Sequence, residues 1–300
     1  RHWCGCAPDR VGVDVKANRR PVDSTHDRRD PTRTASGCPV TAPAVRAPVL
    51  APGDAIRLTS VTKVYGHGLG AVVALEDLNL TVEVGSFVCL VGASGCGKST
   101  LLNIIAGLDS PTTGRVDVAG GRPTLIFQDA ALFPWLTAGE NVDLALRLRG
   151  VPRGDRRAAV TDLLERVHLS GFADKRPHEL SGGMRQRVAI ARALAQDPRI
   201  LLLDEPFGAL DAITRDVLHE ELERIWRETA LTVVFVTHNV REAVRLSQRV
   251  VLLSSRPGHA VAEFAVRIEG PRKIESPEVA ALAMTIGQQL SEQVRRHATD

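Results

Sequence analysis

One segment of this 300-residue sequence combines glycines with a lysine and hydroxyl side chains, the composition of a phosphate-binding loop. The segment is Gly92-Ala93-Ser94-Gly95-Cys96-Gly97-Lys98-Ser99-Thr100. It follows the apolar run Phe87–Val91 and opens a helical pattern over residues 98–108, which is the strand-to-helix context that G-x-x-x-x-G-K-[ST] requires. Glycine amides and the helix N-terminus can surround a polyphosphate, Lys98 can reach the β- and γ-phosphates, and Ser99 can bind Mg²⁺. We therefore predict a nucleotide site.

Cys96 lies inside this segment, at the N-terminus of the predicted helix. The pKa of a thiol tends to fall in such a place, so we expect Cys96 to react with a maleimide and bound nucleotide to protect it. The alternative is that Cys96 fills space in the loop and its side chain points away from the ligand.

Two carboxylates, Asp204 and Glu205, directly follow the apolar run of residues 200–203. Ligands of open α/β sheets bind at the carboxyl ends of strands. Asp204 suits Mg²⁺ binding, directly or through another ligand, and Glu205 suits a general base that polarises an attacking water. Such a pair is ordinary by itself, but after a phosphate-binding loop it predicts nucleotide hydrolysis.

A third segment resembles the signature motif of the ATPases of ABC transporters. It reads Leu180-Ser181-Gly182-Gly183-Met184-Arg185-Gln186-Arg187. In this family, Ser181, Gly182 and Gly183 are expected to cradle the γ-phosphate bound by a second subunit, so the resemblance implies two chains paired head to tail. Met184 stands where the commonest family form has Gln, which removes one polar contact.

The resemblance covers about residues 55–265 and includes further motifs in the family's order. Tyr65 resembles the aromatic residue on which adenine stacks, and Gln128 resembles the Q-loop glutamine that contacts Mg²⁺ or the attacking water. Gly208-Ala209-Leu210-Asp211 resembles the D-loop that crosses the dimer, which assigns Asp211 to the nucleotide site. His238 resembles the switch histidine that hydrogen-bonds the γ-phosphate.

Other segments are similar to the group of ABC importers for nitrate, sulfonates and taurine. They are the signature form with Met184, Phe133-Pro134-Trp135-Leu136-Thr137 with Glu140-Asn141-Val142, and Ser255-Arg256-Pro257-Gly258. The similarity implies an ATP-hydrolysing subunit, dependent on ATP and Mg²⁺, that powers uptake of a small anion. It implies a homodimer of ATPase subunits, with a heterodimer as the alternative. It also implies an integral-membrane permease, a solute-binding protein, and a peripheral position on the cytoplasmic face of the plasma membrane.

Three alternatives remain open. An exporter subunit with a separate permease would carry the same motifs. A soluble ABC ATPase acting on DNA or ribosomes is disfavoured by the presence of one cassette without long inserts. A non-catalytic ATP-binding scaffold is disfavoured by Glu205 and His238.

The run after Gln128 is unusually apolar for a loop. Pro134 prevents a continuous helix there, and Phe133 and Trp135 form the kind of aromatic pair that a docking groove for a partner helix uses. The family places the coupling helix of the permease against this region, so we expect Trp135 to contact the permease.

Composition excludes several other classes of protein. The net charge is +3, with about +4 in the first fifty residues and −1 in the rest, which predicts no nucleic-acid partner. The five cysteines include no CxxC pair, which disfavours a structural zinc site or a disulfide scaffold. No uncharged apolar stretch reaches the roughly 18 residues of a membrane span.

The hydrophobic patterns predict an α/β fold with a mostly helical insert between two strand-rich portions. Predicted strands cover residues 56–65, 72–75, 78–82, 87–91, 116–118, 124–127, 200–203 and 233–236. A helix is predicted for Ala212–Thr229 and another after Ser276-Pro277-Glu278, whose serine should cap it. The resemblance implies a P-loop NTPase core with a mixed sheet and an N-terminal antiparallel β portion. We expect a disordered tail (1–52), a cassette (53–270, insert about 129–195) and a C-terminal helical extension (271–300).

Overall fold

The computed structural model describes residues 50–51, 53–208, 210–270 and 272–297. The tail predicted for residues 1–52 lies outside the described residues except for Leu50 and Ala51. No helix within the described ranges combines the length with the hydrophobicity that a membrane span needs.

The secondary structure alternates between strands and helices after an N-terminal β portion. The elements are β1 (Asp54–Tyr65), β2 (Val72–Glu83), β3 (Phe87–Val91), α1 (Lys98–Ile105), β4 (Thr113–Val118), β5 (Thr124–Ile126), α2 (Ala138–Leu148), α3 (Arg153–Arg166), α4 (Gly182–Leu194), β6 (Ile200–Asp204), α5 (Ala212–Thr229), β7 (Thr232–Thr237), α6 (Val240–Leu246), β8 (Arg249–Leu253), β9 (Ala260–Ala265) and α7 (Pro277–His297).

β1, β2 and β4 form an antiparallel sheet in the order β2-β1-β4. β2 is one strand, so the prediction of two strands over residues 72–75 and 78–82 is wrong. The interruption is a bulge, because Asp77 has a φ of +42° and the register with β1 shifts beside it. A bulge breaks the alternation of side chains while strand pairing resumes on both sides.

The central sheet has the order β5-β6-β7-β3-β8-β9, and all its pairs are parallel except β8 with β9. β3 and β7 are buried along their whole length, which explains the uninterrupted apolar runs at residues 87–91 and 233–236. Sequence patterns did not predict α6, β8 or β9. α6 has only seven residues, and β9 is an edge strand with no fully buried side chain.

The two faces of the central sheet pack against different layers. Val88 and Leu90 lie in a core shared with α1 and the antiparallel sheet, whereas Phe87 and Cys89 face a core formed by helices α2 to α7. α1 ends at Ile105, before the predicted residue 108, because Gly107 takes a φ of +70° and turns the chain. The mixed sheet, the antiparallel portion and the helical insert confirm the predicted fold class.

The helical insert begins with a well-formed N-cap. Thr137 accepts a hydrogen bond from the backbone N–H of Glu140 (3.2 Å), and the Glu140 carboxylate accepts one from the N–H of Thr137 (2.8 Å). This capping box fixes the start of α2 directly after the apolar run that contains Trp135.

The C-terminal helix α7 starts at Pro277, as predicted. Val279 and Ile286 are buried where α7 packs on α6. The side-chain cap is not formed, because the hydroxyl of Ser276 is buried with no hydrogen-bond partner among the described residues.

Candidate nucleotide-binding site

The glycine-rich segment forms a tight loop between β3 and α1. Gly95 and Gly97 have φ values of +78° and +98°, which side chains rarely permit. A Cβ at Gly97 would stand 2.7 Å from the backbone oxygen of Ala74. The loop therefore depends on glycine both for its conformation and for its close approach to β2, and it leaves the N-terminus of α1 facing a pocket.

Lys98 is the buried cation of the loop, with 6% of its surface exposed. Its Nζ donates hydrogen bonds to the backbone oxygens of Gly92 and Ala93, at 2.9 Å each. These bonds hold the ammonium group across the loop, where it can meet a phosphate without a change in the backbone.

Cys96 is only 1% exposed, and its thiol lies beneath the loop. A Cβ at Gly92 would stand 2.7 Å from its Sγ. Burial raises the pKa of the Cys96 thiol, and the positive charge of Lys98 opposes this shift only in part. The expected low pKa is therefore wrong, because desolvation of the thiolate outweighs the effect of the helix end. The alternative of a space-filling side chain is the one that the structure supports.

A pocket of about 360 Å³ opens above the loop. It brings together many of the residues singled out in the sequence. Its walls are Tyr65, Val72, Ala74, Ser94, Gly95, Gly97, Lys98, Ser99, Thr100, Gln128, Glu205 and Arg256. Gln128 and Glu205 come from the ends of β5 and β6, so the neighbouring strands deliver polar side chains to one edge of the sheet, as predicted.

The two carboxylates at the end of β6, Asp204 and Glu205, lie in different environments. The Ser99 hydroxyl donates a hydrogen bond to Asp204, while burial raises the pKa of this carboxyl group. Glu205 has a φ of +43°, a conformation that costs free energy in a non-glycine residue. Its Oε2 lies 2.8 Å from Nδ1 of His238, so the structure joins two residues that the sequence separates by a strand and a helix.

Tyr65 is held at the rim of the pocket by residues that sequence reasoning missed. Its hydroxyl donates to Oδ2 of Asp109 (2.9 Å), and Nζ of Lys63 donates to Oδ1 of the same carboxylate (2.6 Å). The hydrogen bond from Lys63 lowers the pKa of Asp109. Nζ of Lys63 also lies 4.9 Å from the centre of the Tyr65 ring, so the ring is fixed by two contacts.

The signature segment forms the N-terminus of α4. The exposed Ser181 caps this helix by accepting from the N–H of Met184 (3.2 Å). Asp211 caps α5 in the same way, through the N–H of Thr214 (2.9 Å). A Cβ at Gly183 would stand 2.5 Å from Cγ2 of Thr214, so the two helix ends form one packed unit.

This unit does not complete the pocket within one chain. In the described part of the chain, Ser181, Gly182, Gly183 and Asp211 are absent from the pocket walls. The nucleotide residues predicted from the sequence thus fall into two groups. One is gathered around Lys98, and the other lies at the N-termini of α4 and α5, where Ser181, Gly182 and Asp211 are exposed and Gly183 is buried.

A glycine-rich loop between a strand and a helix, a buried lysine, and a carboxylate pair at the end of a nearby parallel strand define a P-loop nucleoside triphosphatase. Comparison with known proteins narrows this class. The sequence profile of the family described as ABC transporter matches residues 75–208.

Relatives agree with this match. A nitrate import ATP-binding protein of Synechocystis sp. is 47% identical over 222 residues, which cover 72% of this chain and 84% of the relative. A taurine import ATP-binding protein of Burkholderia thailandensis is 46% identical over 245 residues, covering 77% and 94%. The chain belongs to the ABC transporter family and is an ATP-binding ATPase subunit, which confirms the resemblance found in the sequence.

A solved structure supports both the fold and the activity. A dimeric ATP-binding cassette in a post-hydrolysis state, bound to ADP and Pi, superposes with a TM-score of 0.64 and 37% identity. The similarity covers 71% of this chain and 100% of that chain.

Proposed function

We propose that this chain is the ATP-hydrolysing subunit of an importer that takes up a small anion, such as nitrate, a sulfonate or taurine. It works as a dimer under a separate integral-membrane permease, on the cytoplasmic face of the plasma membrane, with a solute-binding protein delivering the anion. The import names of the two relatives support this substrate class. The cassette is assigned to residues 53–270, with its insert at about 129–195 and an extension at 271–300.

One observation carries the proposed hydrolysis: Glu205 lines the same pocket as Lys98 and lies 2.8 Å from His238. The oxygen of a water molecule attacks the γ-phosphorus, and the bond between this phosphorus and the bridging oxygen breaks to release ADP. Glu205 accepts the proton of the water. His238 orients this carboxylate through Nδ1, and a second bond from its Nε2 to the γ-phosphate requires the imidazolium form, in which both ring nitrogens donate. Gln128 lies on the pocket wall, where it can orient the same water.

The nucleotide lies along the pocket. Backbone amides of the loop from Gly92 to Thr100 and Nζ of Lys98 bind the phosphates, and adenine stacks on the Tyr65 ring. Cys96 contributes only its backbone, because its side chain is buried below the loop.

The residues present fit Mg²⁺. Hydroxyl, carboxylate and amide oxygens are the donors that this ion prefers, and Ser99, Asp204 and Gln128 supply one of each. The hydrogen bond between Ser99 and Asp204 already brings two of these groups together. When bound, Mg²⁺ neutralises charge on the phosphates, and Asp204 is the protein carboxylate that would hold it.

The second group of residues acts on the nucleotide of a partner. Ser181, Gly182 and Gly183 present a hydroxyl and glycine amides at the N-terminus of α4, and Asp211 lies on the adjoining helix end. In a head-to-tail dimer these groups close the pocket of the other chain. The dimeric state of the similar cassette structure supports this arrangement.

The permease is expected to dock beside Trp135, whose side chain is 67% exposed. The Trp135 ring lies 5.5 Å from that of Phe133, between ring centres, and Phe133 lines a groove of about 520 Å³. Phe127, Leu148 and Arg149 form other parts of the groove. An exposed aromatic pair beside an apolar groove is suited to a partner helix.

The test is transport in cells that lack this gene. Uptake of labelled nitrate, taurine and an alkanesulfonate is measured before and after complementation with the wild-type chain or Lys98→Ala. We expect uptake of one of these anions to be lost and to return only with the wild-type chain. Unchanged uptake of all three anions would contradict the proposal.

A further inference from the structure

A turn between β8 and β9 lies beside the phosphate-binding loop, and its Arg256 lines the nucleotide pocket without a function assigned so far. It spans residues 254–259 and is held by its own hydrogen bonds. The Ser254 hydroxyl donates to the backbone oxygen of Pro257 (2.6 Å) and accepts from the N–H of His259 (2.8 Å). The turn therefore has a defined shape that can position a side chain.

Gly258 joins this turn to the nucleotide site. Its N–H donates to the backbone oxygen of Ala74 (3.0 Å), and its oxygen accepts from the N–H of Glu76 (3.1 Å). A Cβ at Gly258 would stand 2.1 Å from the backbone oxygen of Cys96. Only glycine permits so close an approach, so the turn is fixed against β2 and the phosphate-binding loop together.

The turn directs Arg256 toward the phosphate-binding loop. Nε and Nη2 of Arg256 each lie 3.3 Å from the backbone oxygen of Gly95, and the residue lines the same pocket as Lys98 and Ser99. Among the described residues that line this pocket, Lys98 and Arg256 carry the positive charges and Glu205 the negative charge. A second cation at the rim of a polyphosphate site is electrostatically favourable.

We propose that Arg256 is a nucleotide-binding residue whose guanidinium group donates to a phosphate oxygen of the nucleotide bound by the same chain. A guanidinium group carries its N–H donors in a planar fork, which can bond a carbonyl oxygen and a phosphate oxygen at once. The hydrogen bonds to the backbone oxygen of Gly95 then fix the orientation of the guanidinium group, and its positive charge attracts the phosphate of the nucleotide. The proposal rests on the proposed placement of ATP above the phosphate-binding loop.

Nucleotide titrations of the full chain test this contact. Affinities for Mg-ATP and Mg-ADP are measured by fluorescence with labelled analogues, in a Glu205→Gln background that slows hydrolysis. We expect Arg256→Ala to weaken the binding of both nucleotides about 10-fold, as expected for loss of a hydrogen bond to a charged group. Arg256→Lys should retain part of the affinity. Arg267→Ala, which removes an exposed arginine just after β9, should bind normally.

Arg256→Gln separates a direct contact from a role in supporting the loop. Glutamine can still donate to the backbone oxygen of Gly95 but has no charge, so we expect it to bind as weakly as Arg256→Ala. Wild-type affinity in Arg256→Gln, or a change of less than about twofold in Arg256→Ala, would overturn the proposal. Lys98→Ala serves as the reference. If Lys98→Ala also binds both nucleotides with wild-type affinity, the proposed placement of the nucleotide above the loop is wrong, and not only the proposed contact with Arg256.

Discussion

The phosphate-binding core and the helical insert hold their functional side chains in opposite ways. In the core, Lys98 is 6% exposed and bonds two backbone oxygens of its own loop, and Asp204 is bonded to Ser99. In the insert, Ser181 is exposed and its hydroxyl caps the N-terminus of α4, while Trp135 is 67% exposed. The core is organised for a ligand within one chain, whereas the insert displays groups at its surface.

This difference separates two kinds of defect. A substitution in the core should change nucleotide binding or the chemical step in every assembly that contains the chain. A substitution at the exposed positions of the insert should leave the isolated chain folded and able to bind nucleotide, because few intramolecular contacts are lost. Its effect should emerge only when a second chain or a permease is present.

Glu205→Gln should produce the largest effect on the core. Removal of a positioned general base lowers turnover by roughly 10²–10⁴. The substitution preserves size and hydrogen bonding to His238, so ATP should still bind and the protein should accumulate as an ATP-bound dimer. Phosphate release and size-exclusion chromatography with ATP measure the two outcomes. Turnover at the wild-type rate would show that Glu205 is not the base.

Ser181→Arg should lower hydrolysis by about 10²-fold, the scale for loss of a donor to the reacting phosphate. ATP affinity of the isolated chain should stay near normal, because Ser181 lies outside the pocket walls formed by its own chain. Ser170→Arg, at another exposed serine of the insert, is the matched control.

Mixed dimers make this prediction sharper. A dimer of one Ser181→Arg chain and one Lys98→Ala chain retains a single composite site with both residues intact. Mixing the two inactive proteins should therefore restore part of the ATPase activity. Failure to recover activity at any ratio would contradict a site shared between chains.

Trp135→Ala should weaken permease binding by about 2 kcal/mol, the scale of an interface hot spot. The isolated subunit should keep its melting temperature and its ATP affinity, because the removed side chain is largely exposed. Leu108→Ala removes a similarly exposed apolar side chain from the core region and should not affect permease binding. Unfolding, or loss of ATP binding, would instead identify Trp135 as a structural residue.

Local patterns allowed much of this molecule to be predicted. The glycine spacing, the apolar strand before it and the helix after it are contiguous, so the loop around Lys98 could be placed from the sequence. Ala212–Thr229 was predicted with the bounds that the structure shows. The separate roles of Glu205 and His238 came from the family order of motifs, and their direct contact was not predicted, because no local pattern predicts the pairing of β6 with β7.

Contacts between distant segments could not be predicted in this way. Arg256 reaches Gly95 across 161 residues, and the hydroxyl of Tyr65 reaches Asp109 across 44. Neither contact leaves a periodic signal, since each depends on how β8 and α1 pack against the antiparallel sheet. The sequence left two placements of the Cys96 side chain open for the same reason: the path of the loop, rather than its composition, places the thiol below Gly92.

The smallest expected effect concerns Cys96, which tests how tightly the core is packed. Its thiol pKa is raised by burial, so at neutral pH the thiolate fraction is lower than that of an exposed cysteine, and it increases only as the pH rises. Maleimide should modify Cys96 slowly in the native protein and rapidly after denaturation, as measured by mass spectrometry of the peptide that contains it. Cys96→Ala should alter ATPase activity by less than about twofold, since the side chain only fills space.

Ser94→Cys supplies the control, because position 94 is exposed on the same loop and its thiol should react quickly unless Mg-ATP is bound. Equal labelling rates at positions 94 and 96 would mean that the phosphate-binding loop opens readily. The core would then not be more tightly packed than the insert at the residues that bind the phosphates.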